Sequence, residues 1–85
     1  MDIIFHREFQ KALLKQPQKI HKKFAQAIDT FRKDQFHYSL NNHALRGKYQ
    51  GRRSINITGD VRAIYRIDKK MIIFMEIGTH SQLYK

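Results

Sequence analysis

Residues 52–78 read RRSINITGDVRAIYRIDKKMIIFMEIG, and their alternation decides the fold. In the first run Ile55 and Ile57 point one way, while Arg52, Ser54, Asn56 and Thr58 point the other. That period of two marks a strand with one buried face. Thr58-Gly59-Asp60 is a tight turn, and the next run sets Val61, Ala63, Tyr65 and Ile67 against Arg62, Ile64 and Arg66. After a second turn at Asp68-Lys69-Lys70, MIIFMEIG is apolar on both faces apart from Glu76, which predicts a central strand. Strands joined by such short turns must be antiparallel.

The period changes on the N-terminal side. DIIF is a short apolar strand candidate running into HREFQKALLKQ, where Phe5, Phe9 and Leu13 recur at helical spacing. Gln16-Pro17 stops that helix, and Pro17 suits the first turn of the next. There Ile20, Phe24, Ile28 and Phe31 share one face, with Lys19, Lys22, Lys23 and Gln26 away from it. DQFHYSLNNHALRGKYQG has no sustained period and reads as a long connection into the sheet. The expected fold is α+β: β-α-α-β-β-β, with the two N-terminal helices packed on one face of a small antiparallel sheet.

Composition narrows the partners. Eighty-five residues suit one domain, 1–85, with a single two-layer core. A formal charge of +10 on so small a chain attracts polyanions. No run approaches the ~20 apolar residues of a membrane span. The start MDIIFHREFQ lacks a signal peptide's charged-then-apolar order, so the expected location is the cytoplasm, with no membrane partner. With no cysteine, disulfides and thiolate metal sites are excluded.

If helices cover one sheet face, the polar strand residues of the other become informative. Arg52, Ser54 and Asn56 share a face, as do Arg62 and Arg66 on the neighbouring strand; Arg46, Lys48 and Arg53 add charge at the approach. Guanidinium groups contact phosphate bidentately and recruit a nucleic-acid backbone without reading its sequence. Singly, each cation also has the plainer role of solvating a sheet face. Among the histidines, His6 and His21 read as surface residues and nothing singles out His37. His43 lies just before the basic strands and His80 just after the last one, so tertiary folding would have to bring them together. A histidine pair suits RNA cleavage: one imidazole deprotonates a ribose 2′-hydroxyl while the other protonates the leaving 5′-oxygen. No histidine pair has a chelating spacing, and neither metal nor cofactor is expected.

The stretch ALRGKYQGRRSINITGDVRAIYRIDKKMIIFMEIGTHSQLY resembles the C-terminal half of RelE/ParE superfamily toxins, and is most similar to the YafQ-like branch of ribosome-dependent mRNA endonucleases. The LRGKYQGRRS entry, the GDVRAIYRI strand and the IGTHSQLY ending carry it, in order, over about half the chain. The resemblance implies a type II toxin that cleaves mRNA in the ribosomal A site, near 16S rRNA. It further implies neutralisation by an acidic cognate antitoxin, with the toxin monomeric alone and in a higher-order complex with that partner. The GTH histidine, a catalytic acid in that family, falls on His80, and the closing aromatic, which stacks on a base or positions RNA, on Tyr84. The histidine before the entry falls on His43, and the acid between the middle strands on Asp60; either would act as base or hold it. Arg46, Lys48, Arg52, Arg53, Arg62 and Arg66 would bind RNA.

Three positions depart from the family pattern. Asn56 stands where such toxins often carry a histidine, Val61 where they carry an aromatic, and Glu76 where they carry an arginine. The first removes a candidate base, and the last reverses a charge that would stabilise the phosphorane; Arg62 or Arg53 would compensate. Two rivals follow: a ParE-like poison of DNA gyrase on the same fold, and a non-catalytic basic RNA-binding relative. The GTH histidine favours the nuclease, since a gyrase poison has no evident need for an imidazole there.

Overall fold

Asp2–Phe5 forms β1, and His6 converts strand to helix: its Nδ1 accepts a hydrogen bond from the Glu8 N–H at 3.1 Å. That contact caps α1 (Arg7–Leu14), and Pro17 occupies the N-cap position of α2 (Gln18–Lys33) without a side-chain cap. The computed structural model describes residues 2–84. His21 ties the two helices through Nε2 and the Gln16 carbonyl, 3.0 Å apart. Two 3₁₀ turns, Tyr38–Leu40 and Gly47–Tyr49, flank the two-residue strand β2 (His43–Ala44) in the connection. The meander then follows as expected: β3 (Arg53–Asn56), β4 (Val61–Asp68) and β5 (Met71–Thr79), closed by α3 (His80–Leu83).

The sheet order is β1-β5-β4-β3-β2. The strands of the meander are antiparallel, but β1 pairs with β5 in parallel, so the sheet is mixed. The helical hairpin returns the chain to the side it left, which lets β1 run alongside the last strand. This placement makes β5 an interior strand, flanked by β1 and β4, as its two apolar faces require.

Both long helices cover one face. Phe5, Phe9 and Phe24 interlock with Phe31, Tyr65 and Phe74, ring centroids 5.3–5.7 Å apart, around a core that includes Ile20, Ile28, Ile55 and Ile72. The opposite face is not wholly open. Alternation along β4 turns Ile64 away from the helices, between Ala63 and Tyr65 of the main core, and it packs fully buried with Tyr49 and Leu83. No helix among the described residues is long and apolar enough to cross a membrane.

Candidate active site

The last helix is held by a capping box. Thr79 Oγ1 accepts from the Gln82 N–H at 3.2 Å, and Gln82 Oε1 accepts from the Thr79 N–H at 2.8 Å. Helix α3 therefore starts where β5 ends and folds back over the open face. Gly78 is the place of closest approach: a Cβ there would lie 2.9 Å from Gln82 Oε1, 3.1 Å from its Cβ and 3.6 Å from Leu83 Cδ2. The glycine of GTH is thus required by packing, and its threonine by the cap.

This arrangement sets His80 on the first turn with its ring against Tyr84, centroids 4.7 Å apart and planes 33° from parallel. His80 is exposed, and its ring nitrogens make no hydrogen bond among the described residues. Tyr84 meets Tyr49 edge-on at 5.4 Å. The buried Tyr49 hydroxyl donates to the Leu83 carbonyl at 2.9 Å, locking α3 to the loop before β3. Lys48 Nζ and the Arg52 guanidinium lie over the Tyr49 ring, 4.9 and 5.7 Å from its centroid. Gly47 and Gly51 flank this loop at φ of 67° and 89°, a conformation that costs a side-chain-bearing residue dearly. Burial first, and then the nearby Glu76 carboxylate, push the Tyr49 hydroxyl up to about 12.

Glu76 sits beneath this cluster. Its Oε2 is buried without a hydrogen-bond partner, 4.0 Å from the Arg52 guanidinium, while the side chain as a whole keeps 42% of its exposure. Across the sheet the register aligns His43, Ser54, Ile64 and Glu76 in one row, and Asn56, Arg62 and Gly78 in another. Arg62 is therefore the cross-strand neighbour of Gly78, two residues before His80; its Nη1 donates to the Gly59 carbonyl at 3.1 Å.

The other sequence-selected residues lie apart. His43 is exposed on the edge strand, its Nδ1 2.8 Å from the Asn41 carbonyl. Three strand spacings, about 14 Å, separate it from Glu76. Asp60 borders a groove with Pro17, Lys19, Lys23 and Thr79 on the helix side of the sheet, so it approaches the α3 cap from the face opposite Glu76. Arg53 faces the helices rather than the open face, because alternation turns it away from Arg52. Its Nε donates to Asn42 Oδ1 at 2.9 Å, and its guanidinium lies 5.4 Å from the Phe36 ring. Arg66 pairs with Asp68 at 3.4 Å, four residues along β4 from Arg62. Arg46 is exposed just before the Gly47–Tyr49 turn. Among the described residues no group of three or more metal-ligating side chains comes together. Tyr49 was missed in sequence, although a tyrosine between glycines and cations was the signal.

The site thus combines an exposed imidazole, two phenols in edge contact, several cations and one carboxylate on the sheet face away from the helices. Comparison with known proteins adds the family. The family model described as bacterial toxin of type II toxin–antitoxin system, YafQ, matches residues 1–85. The chain is similar in structure to YafQ from E. coli strain BL21(DE3), with 24% identity and a TM-score of 0.80 over 99% of this chain and 98% of that one. Against YafQ in the E. coli DinJ–YafQ complex the values are 25%, 0.76, 99% and 97%. In the RelB–RelE complex of Methanococcus jannaschii they are 21%, 0.68, 95% and 94%. No curated protein matches the chain. The chain belongs to the YafQ family of bacterial type II toxin–antitoxin toxins.

Proposed function

We propose that this toxin is an endoribonuclease that cuts mRNA in the ribosomal A site. The observation that carries the reading is His80, an exposed residue whose ring rests against Tyr84, with no hydrogen bond to its nitrogens among the described residues, near a cationic loop. The ribose 2′-oxygen attacks the adjacent phosphorus as its proton leaves to a base. The bond to the 5′-oxygen breaks as His80 protonates that oxygen. The products are a 2′,3′-cyclic phosphate and a 5′-hydroxyl end. Lys48, Arg52 and Arg62 neutralise the charge that builds on the phosphoryl oxygens, and Tyr84 orients the nucleotide.

The base is the step at which sequence and geometry part. His43 stands away from α3 on the edge strand, and Asp60 reaches the Thr79 cap only from the groove on the helix side of the sheet, whereas Glu76 lies in the cluster with one oxygen buried and the side chain still 42% exposed. We assign the base to Glu76. Both proton transfers then belong to side chains, so a chelator should leave the rate unchanged.

The basic face also fits an acidic antitoxin, in keeping with the DinJ–YafQ and RelB–RelE complexes of similar toxins. The free toxin would be a monomer in the cytoplasm, assembling further only with that antitoxin. Its attraction to the toxin should weaken as salt rises.

The test is single-turnover cleavage of mRNA on programmed ribosomes by wild type and Glu76→Gln. Removing one negative charge should tighten RNA binding while losing the base lowers the chemical rate, on the order of 10²-fold or more. Equal rates would remove Glu76 as base. No cut by wild type, together with arrested DNA synthesis in expressing cells, would favour a gyrase poison.

A further inference from the structure

The connection between α2 and β2 presents an aromatic surface that the active site does not use. Phe36 is 63% exposed and Tyr38 is 89% exposed, although apolar rings of this size are normally covered. They are not loose. The Phe36 N–H donates to Asp34 Oδ1 at 3.0 Å, and His37 Nδ1 accepts from the Ser39 N–H at 3.2 Å. Asn42 anchors the segment from below, donating to the Gln35 carbonyl at 3.0 Å and the Tyr65 hydroxyl at 2.8 Å. The His37 ring lies against Tyr38, centroids 4.6 Å apart and 28° from parallel, and the Arg53 guanidinium lies 5.4 Å from the Phe36 ring.

We propose that this segment is a stacking platform for unpaired bases of mRNA flanking the cleaved nucleotide, a reading that rests on the nuclease function above. The His37–Tyr38 pair is already the start of a stack, and Tyr38 leaves most of its surface free to extend it. Exposed rings with one cation, Arg53, against Phe36, on a chain of charge +10, suit a single-stranded polyanion with flat bases. Position agrees: the segment leads into His43, whose row runs across the sheet to Glu76. Ser54 and Ile64 of that row are buried, so an RNA strand would cross over the Tyr49–Leu83 cover and leave the sheet at the β2 edge, which the segment leads into.

Fluorescence anisotropy with an unstructured, labelled 12-nucleotide RNA tests this, using the His80→Ala protein so that no cleavage occurs. Tyr38→Ala in that background should raise Kd about 5- to 100-fold, since stacking on one ring contributes that much. Tyr38→Phe should bind nearly as the parent, and the salt dependence of Kd should keep its slope, because no phosphate contact is lost. An abasic strand of the same length should bind weakly and be indifferent to Tyr38→Ala. Melting of Tyr38→Ala should match the parent, because so exposed a ring buries little. Unchanged RNA affinity in Tyr38→Ala overturns the proposal, as does an equal loss on the abasic strand. A loss confined to vacant ribosomes would assign the surface to ribosomal RNA, and a loss confined to antitoxin would assign it to protein; either overturns it. Because catalysis does not enter the assay, failure of the platform and failure of the nuclease reading are separable.

Discussion

Gly78→Ala tests how the active site is built. The new methyl carbon would sit 2.9 Å from Gln82 Oε1 and 3.1 Å from Gln82 Cβ, inside any ordinary contact distance. The amide end of Gln82 is not free to swing away, because Oε1 accepts from the Thr79 N–H at 2.8 Å and from Gln16 Nε2 at 3.2 Å. If α3 stays in place, overpacking costs about 1–3 kcal/mol. If it lifts, the burial of Leu83 and the Tyr49–Leu83 hydrogen bond are lost, a similar sum. A cost of about 2 kcal/mol lowers the melting temperature of so small a domain by about 8–16 °C. Cleavage per folded molecule should fall much further, because His80 and Tyr84 ride on the displaced turn. Calorimetry and single-turnover cleavage on one preparation measure both. Gln82→Ala in the Gly78→Ala background should recover part of the stability, a coupling between touching residues. A Gly78→Ala protein that melts and cleaves like wild type would refute the packing of α3 on the strand.

The alkaline limb of stability should depend on Tyr49. A hydroxyl that ionises at about 12 in the folded chain, against 10.0 unfolded, contributes fully below pH 10 and is lost as pH rises towards 12. Denaturation of wild type and Tyr49→Phe across that window should therefore converge, by about 2–3 kcal/mol at most; parallel curves would contradict it. Lys69 and Lys70 hold φ of 49° and 69° in the β4–β5 turn, where Asn-Gly is preferred. Lys70→Gly should stabilise by about 1 kcal/mol, read as a rise of about 4–8 °C in melting temperature. Arg53→Ala should cost about 1–2 kcal/mol by leaving Asn42 Oδ1 unpaired, yet reduce cleavage less than Arg52→Ala or Arg62→Ala.

Periodicity made much of the fold legible. The apolar face of α2, the antiparallel meander and the interior place of β5 all follow from spacing alone. The parallel pairing of β1 does not, because it depends on where the helical hairpin returns the chain. The second small core was hidden because alternation put Ile64 on the correct face but gave no sign that Tyr49 and Leu83, distant in the chain, fold over it. For the site, the terminal motif singled out His80 and Tyr84, and their rings lie against each other at a tilt. Alternation also contained the fate of Arg53, one residue out of step with Arg52. His43 and Asp60 were chosen for chemistry and order in the chain, which carry no information about the edge strand or the groove that hold them. The TxxQ spacing of Thr79 and Gln82 is a capping-box signature, and it was the available clue that His80 begins a helix.

The most direct measurement is cleavage by His80→Ala on programmed ribosomes, read beside its melting curve. Thr79, not His80, caps α3, so the variant should melt within a few degrees of wild type. Its single-turnover rate should fall on the order of 10²- to 10⁴-fold while ribosome binding persists. A stable His80→Ala protein that still cleaves at near the wild-type rate would contradict the assignment of His80 as the acid, and would leave the cations of the sheet face to do the chemistry.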